Sequence, residues 1–171
     1  MKTFIIVFIS LFGFFVQIDS IISKPKSTNV ILQEQLTDYD VKKKIIITPD
    51  APKPIGPYNQ AVQINYMLYL SGQIGINATT GQLVSDDVRN QTEQVFHNIQ
   101  AVLTAAGSSL NQIARCIVLL IDMNDFQAVN EIYASFFSSK EDYPARSTFA
   151  VKTLPANAKV EIECTAYTTH E

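Results

Sequence analysis

The apolar run ARCIVLLID, residues 114–122, is flanked by two segments with helical periodicity, and this arrangement limits the possible folds more than any other feature. Nine residues with few polar interruptions are typical of a strand that is buried on both faces. Residues 86–106 before the run and the residues from Asn124 after it carry apolar side chains three or four positions apart, which predicts an amphipathic helix on each side of the strand.

The two predicted helices have recognisable ends. The first is expected to run from Asp86 to Ala106, and Gly107 supplies a C-terminal stop. The second is expected to begin at Asn124, with Gln127 three residues later as in a capping box. Its apolar stripe consists of Phe126, Val129, Tyr133, Phe136 and Phe137. Aromatic residues at this spacing normally face a sheet, so the stripe is expected to belong to the core rather than to a cofactor site.

Strand patterns account for the rest of the domain. The stretch AVQINYMLYLSGQ alternates like two strands joined by a tight turn at Asn65, TGQLVS is typical of a short strand, and two further strands close the domain. The order β-β-β-α-β-α-β-β predicts an α+β domain in which two helices pack on one face of a single sheet. The other face would be uncovered, and an exposed sheet face favours contact with another subunit.

Alternation in the two closing strands assigns their side chains to faces. In YPARSTF, Ser147 and Phe149 point to one side and Arg146 points to the other. In VEIECTAY, Glu161 and Glu163 point away from the apolar set. If both apolar sets lie under the helices, Arg146 and the two glutamates share the face that the helices do not cover. The pattern alone fits an ordinary surface ion pair as well as it fits a site.

Composition argues against several kinds of site. A net charge of −3 over 171 residues indicates no basic surface, so nucleic acid is not an expected partner. His97 lies mid-helix and His170 is next to last, so neither is placed as a general base. No HExxH, CxxC, GxGxxG or Walker motif occurs, and neither a metal nor another cofactor is expected. A site built from Arg, Glu, Ser, Tyr, Asn and backbone groups suits an electrophilic, anionic substrate.

The two cysteines, Cys116 and Cys164, are too few and too far apart for a zinc site or a disulfide framework. Both lie in apolar strand-like runs, which favours buried free thiols. A cross-strand disulfide and a reactive thiol are the alternatives.

The first 43 residues differ in character from the rest. Within residues 1–20, Lys2 precedes an apolar run of 15 residues, and the small Ser20 follows it. This pattern is typical of a secretory signal peptide. A retained anchor is the alternative, but the run is shorter than the ~20 residues that span a bilayer. No membrane association is therefore expected after processing. Residues 21–43 are expected to be a spacer or pro-segment, and residues 44–171 the folded domain. Secretion is therefore predicted, with a plastid, a mitochondrion or the cytosol as alternatives.

Five separated blocks, IGPYNQAV, LSGQIG, NDFQAVNEIYASFF, YPARSTF and LPANAKVEIECTAY, resemble the RidA family, also called YjgF or L-PSP-like. The resemblance covers about residues 44–169. It implies a chorismate-mutase-like α+β fold with about six strands, assembled as a homotrimer with a site in each cleft between subunits. It also implies hydrolysis of 2-imino acids and their enamine tautomers, such as 2-aminoacrylate, 2-iminobutanoate and 2-iminopropanoate, to 2-keto acids and ammonia.

The same resemblance assigns roles to individual residues. Arg146 matches the arginine that clamps the substrate carboxylate with paired charge-assisted hydrogen bonds, and Glu161 matches the residue that positions the attacking water. The other matched positions line the cleft as substrate-binding residues: Tyr58, Ser71, Gly72, Asn130 and Thr148. An iminium carbon is strongly electrophilic, so orienting the substrate and one water can suffice without a metal or a covalent nucleophile.

Two other functions are compatible with the resemblance. Some family members are described as endoribonucleases or translation inhibitors, although the charge of this chain does not favour RNA binding. A non-catalytic trimer that binds small carboxylates would use the same arginine and glutamate. An assay of imine hydrolysis distinguishes the enzyme from the binder.

Overall fold

The computed structural model describes residues 41–169, and these residues form seven strands and two α-helices. The elements are β1 (Lys43–Ile46), β2 (Ala61–Ile64), β3 (Met67–Leu70), β4 (Gln73–Ile74), α1 (Val88–Ala105), β5 (Ile113–Leu120), α2 (Phe126–Ser135), β6 (Ala145–Ala150) and β7 (Val160–Tyr167). The predicted signal peptide and nearly all of the predicted spacer lie outside the described residues. Between residues 41 and 169, no helix is long and apolar enough to cross a bilayer.

All seven described strands belong to one sheet, in the order β1-β2-β3-β7-β5-β6, with the short β4 paired to β7. Neighbouring strands are antiparallel except β5 and β6, which are connected through α2 and therefore run in the same direction. β2 and β3 form a hairpin whose turn contains Asn65 at φ 52°. This confirms the predicted turn, since asparagine tolerates the left-handed conformation.

Both helices pack on the same face of the sheet, as the order of elements predicts. The buried cluster between them includes Phe96, Ile99, Leu103, Val129, Leu68, Val118 and Ile162. Gly75 follows β4 and allows α1 to approach closely, because a Cβ atom there would lie 2.7 Å from the Cα of Gln91. A side chain at this position would push the helix away from the sheet.

Two local predictions are wrong. α2 begins at Phe126 instead of Asn124, because the carboxylate of Asp122 accepts the backbone N–H of Asn124 (2.9 Å) and a short 3-10 turn precedes the helix. The segment TGQLVS contributes only an isolated bridge between Leu83 and Ile76. The sheet reaches seven strands because β1 and β4 join it instead.

Cys116 and Cys164 form a disulfide, so the expectation of free thiols is wrong. The two residues lie directly opposite each other on β5 and β7, with their Cα atoms 4.1 Å apart. Both side chains belong to the buried core on the helix side of the sheet. They are 48 positions apart in the chain, so only the pairing of the two strands brings the sulfur atoms into bonding distance.

Among residues 41–169, no element packs on the opposite face of the sheet. Ile117 and Leu119 of β5 are only partly buried there, so β5 is not covered on both faces as predicted. Tyr69 and Phe149 lie on the same face and are 50% and 54% exposed. Large apolar side chains on an open sheet face are typical of a surface that contacts another protein.

Candidate functional site

One group of the predicted site residues lines a cleft on the uncovered side of the sheet. Tyr58 lies in the loop before β2, Ser71 and Gly72 connect β3 to β4, and Glu161 is the second residue of β7. The cleft has a volume of about 520 Å³. The rest of its wall consists of Ile55, Val62, Tyr69, Leu70, Ile74, Pro155 and Glu163. The cleft is therefore mostly apolar, with a few polar groups around the carboxyl group of Glu161.

Backbone contacts hold the polar residues of this cleft. The hydroxyl of Ser71 donates to the carbonyl of Asn59 (2.7 Å), and the hydroxyl of Tyr58 accepts a backbone N–H from its own loop (3.2 Å). Gly72 lies directly against Glu161, because an added Cβ atom would be 2.8 Å from the Cδ of that carboxyl group. The observed position of the Glu161 carboxyl group therefore requires a glycine at residue 72.

The carboxyl group of Glu161 has a raised pKa. Partial burial is the main cause, and the negative charge of Glu163, two positions further along the same face of β7, is the second. Both effects disfavour the ionised form. A carboxyl group with a pKa closer to neutral pH is suited to exchange a proton with a water molecule or with a nitrogen atom.

The second group of predicted residues lies beneath α2, at the edge strand β6. Arg146 donates from Nη2 to Oδ1 of Asn130 (2.7 Å). Its guanidinium carbon is 4.6 Å from the centre of the Tyr133 ring and 5.6 Å from the centre of the Phe126 ring. Thr148 lies two positions further along the same side of β6. Arg146 is partly exposed and retains N–H groups that can bind an anion.

Arg146 and Glu161 lie on opposite faces of the sheet, so the prediction that they share a face is wrong. In the parallel pair of β5 and β6, Arg146 is in register with Cys116, whose side chain is in the core. Glu161 is in register with Leu119, on the uncovered face. Two strand spacings and three residues along β6 separate Arg146 from Glu161, which amounts to roughly 14 Å between their Cα atoms.

The wrong assignment comes from Phe149, which the sequence predicts to lie under the helices. Phe149 is exposed on the other face, and α2 covers the side of β6 that carries Arg146. A signal for this arrangement exists in the sequence, because Asn130 and Tyr133 are three positions apart and face the same way on a helix. Tyr133 therefore contacts the Arg146 guanidinium, although the sequence predicts it only as core.

The described residues contain few candidates for metal ligation. Between residues 41 and 169, no group of three or more His, Cys, Asp or Glu side chains is arranged to hold a metal ion. The polar groups that line the cleft and surround the guanidinium are those of Tyr, Ser, Glu, Asn, Arg and Thr side chains. This set of groups can bind a carboxylate, orient a water molecule and transfer a proton.

Comparison with known proteins identifies the class of protein. The chain matches the family model described as "Endoribonuclease L-PSP" over residues 48–168. It is 46% identical over 121 residues to the 2-iminobutanoate/2-iminopropanoate deaminase of Dermatophagoides farinae, covering 71% of this chain and 93% of that protein. It is 45% identical over 126 residues to the chloroplastic Reactive Intermediate Deaminase A of Arabidopsis thaliana, covering 74% and 66%. The crystal structure of E. coli TdcF with bound serine matches at a TM-score of 0.70 and 40% identity, covering 74% and 99%.

The chain belongs to this family, which confirms the resemblance to RidA proteins. The family match spans more than half of the chain and includes all of the predicted site residues. The single sheet with two helices on one face also agrees with the solved structure of the E. coli relative.

Proposed function

We propose that this protein hydrolyses 2-imino acids and their enamine tautomers to 2-keto acids and ammonia. Relatives at 45–46% identity are named as deaminases, and one name specifies 2-iminobutanoate and 2-iminopropanoate. The main support for the proposal is the set of contacts made by the guanidinium of Arg146. Its guanidinium is held by Asn130 and by aromatic rings, while its other N–H groups remain available to bind a substrate carboxylate.

The chemistry follows from binding and proton transfer. Arg146 binds the substrate carboxylate through paired hydrogen bonds. A proton from solvent, added to the nitrogen of the imine or to the β-carbon of the enamine, gives the iminium form. Glu161 accepts a proton from a water molecule while the water oxygen attacks the iminium carbon, and a carbinolamine forms. The proton then passes to the nitrogen, the C–N bond breaks with its electrons leaving on ammonia, and loss of the hydroxyl proton gives the keto acid. The raised pKa of Glu161 suits both the uptake and the return of a proton.

We also propose that the active form is a homotrimer that completes this site. A separation of roughly 14 Å across a sheet is too large for one small substrate to contact both Arg146 and Glu161 of the same chain. Head-to-tail association around a threefold axis would bring β6 of one subunit to the cleft of the next. The uncovered sheet face with its exposed Tyr69 and Phe149 supports an assembly of this kind.

The other two functions have less support. The family description names an endoribonuclease, but the net charge of −3 does not favour RNA, which is usually bound in basic grooves with stacking aromatic residues. A non-catalytic trimer would bind carboxylates through Arg146 in the same way and would differ only in the absence of turnover.

We further propose that the mature protein enters an oxidising compartment through the secretory pathway. The first 20 residues are typical of a signal peptide, and buried disulfides such as the Cys116–Cys164 bond persist mainly in oxidising compartments. The Arabidopsis relative is named as chloroplastic, so an organelle is the alternative. Mass spectrometry of the protein from its native host should find a mature N-terminus near Ile21. An intact leader on cytosolic protein would refute secretion.

A coupled assay tests the proposed activity. A pyridoxal-phosphate-dependent dehydratase generates 2-aminoacrylate from serine or 2-iminobutanoate from threonine, and keto-acid release is timed with and without this protein. We expect faster release with the wild-type protein and little acceleration with Arg146→Lys. Binding of 2-oxobutanoate without any acceleration would identify the binder, and cleavage of RNA without imine hydrolysis would identify the ribonuclease.

A further inference from the structure

Tyr133 of α2 packs against Arg146 from the core. Its side chain is only 5% exposed, and the centre of its ring lies 4.6 Å from the guanidinium carbon. Asn130, three positions earlier in the same helix, accepts the hydrogen bond from Nη2 at 2.7 Å. Residues three apart lie on one side of a helix, so α2 contacts the guanidinium at two points.

The ring of Tyr133 is itself fixed by other aromatic rings. Phe96 of α1 meets it edge-on, with ring centres 5.0 Å apart and an interplanar angle of 89°. Phe137 stacks on it, with ring centres 5.3 Å apart and an angle of 28°. Both neighbours are buried. A ring held in this way offers the guanidinium a fixed aromatic face, to which a cation is attracted electrostatically.

The hydroxyl of Tyr133 is buried and forms no hydrogen bond with any residue between 41 and 169. Burial raises the pKa of Tyr133 to about 12, although the positive charge of Arg146 opposes this shift. The phenol therefore stays neutral and does not form an ion pair with the guanidinium. The charge of Arg146 remains available to an anion.

We propose that Tyr133 is a positioning residue, whose ring face acts with the amide of Asn130 to orient the Arg146 guanidinium toward the substrate carboxylate. Without the ring, Arg146 would keep its charge and its bond to Asn130, but the guanidinium could adopt more orientations. Ordering it again on binding would weaken the affinity for every carboxylate. The inference depends on the proposed function for the identity of the substrate, whereas the carboxylate site itself can be tested by binding alone.

Three variants separate the ring from the hydroxyl and from the core. Tyr133→Leu removes the ring, and Tyr133→Phe keeps it. Phe136→Leu removes a ring that packs against the same core and stacks on Phe96, with ring centres 4.7 Å apart. We expect Tyr133→Leu to raise KM for imine hydrolysis, and the Kd of 2-oxobutanoate measured by calorimetry, roughly tenfold with a smaller change in kcat. Tyr133→Phe should have a smaller effect than Tyr133→Leu. Phe136→Leu should also lower Tm but should change KM and Kd less than about twofold.

Fluorinated phenylalanines in place of Tyr133 test the same contact if Tyr133→Leu does not fold. Fluorine preserves the shape of the ring and reduces the negative potential of its face, so the Kd of 2-oxobutanoate should rise with each added fluorine, roughly three- to tenfold over the series. The same analogues in place of Phe136 should leave Kd unchanged. Equal effects at the two positions, or no dependence on fluorination, would overturn the proposal. A protein that binds 2-oxobutanoate with this dependence but does not hydrolyse imines would refute the proposed function and support this inference; a protein that binds no carboxylate would refute both.

Discussion

Two variants with strongly reduced activity should restore activity to each other if each site is shared between subunits. Arg146→Lys removes the paired hydrogen bonds to the carboxylate, each worth ~1.5–3 kcal/mol, and should lower kcat/KM tenfold or more. Glu161→Gln removes the group that exchanges the proton. Because the two residues lie on opposite faces of the sheet, a site in a mixed trimer can take an intact Arg146 from one subunit and an intact Glu161 from its neighbour.

The expected magnitude follows from the number of ways in which subunits combine. In trimers assembled at random from equal amounts of the two variants, about a quarter of the interfaces contain both intact residues. The mixture should therefore recover about a quarter of the wild-type activity, well above either parent. If one chain supplied the whole site, every site in the mixture would contain one substituted residue and no recovery would occur.

The assay requires trimers that contain both variants. The two chains are co-expressed in equal amounts with different affinity tags. The unselected mixture is assayed with the dehydratase-coupled reaction. A separate portion is purified on both tags in succession to show that mixed trimers form. A matched control combines the wild-type chain with the double variant Arg146→Lys/Glu161→Gln. Shared sites predict about a quarter of wild-type activity for this control, whereas sites within one chain predict about a half. Mixed trimers that remain as inactive as their parents would refute the reasoning.

Gly72, the disulfide and Glu163 offer three further tests. Gly72→Ala should displace the carboxyl group of Glu161, because the new Cβ atom would lie 2.8 Å from its Cδ. The kcat should fall while the circular dichroism spectrum stays unchanged. Full activity of the variant would contradict the role of Glu161. Replacing both Cys116 and Cys164 with alanine should lower the free energy of unfolding, because the bond closes a loop of 48 positions, for which chain entropy predicts about 4 kcal/mol. Denaturant titration of the variant, and of the wild-type protein with and without reductant, checks this. Equal stability with and without the disulfide would contradict it. Burial, and to a lesser extent the charge of Glu163, raises the pKa of Glu161, so its carboxyl group ionises only at higher pH. Glu163→Gln should therefore move the acidic limb of the profile of kcat/KM against pH to lower pH. A limb that stays in place would show that Glu163 does not affect the titrating group.

Local patterns in the sequence determined the parts of the fold that depend on neighbouring residues. Apolar spacing predicts the buried side of α1, and Val95, Ile99 and Val102 have no exposed surface. Asn65 in its hairpin turn and Gly107 at φ 75° after α1 lie where the sequence places them, because left-handed backbone favours these residue types. The motifs that carry the family resemblance are also short segments, so the sequence was sufficient to predict the family.

Only the tertiary structure decided whether Cys116 and Cys164 pair and which face of β6 carries the arginine. Alternation establishes that Arg146 and Phe149 point to opposite sides, but it does not indicate which side meets a helix. That choice depends on the parallel pairing of β5 with β6 and on the position of Tyr133 in α2, and these contacts join segments that are distant in the chain. The register of β6 against β5 is set by packing on the core, because a helix rather than a tight turn connects the two strands. The separation of Arg146 from Glu161 is therefore a property of the assembled sheet, and the chain sequence read segment by segment does not contain it.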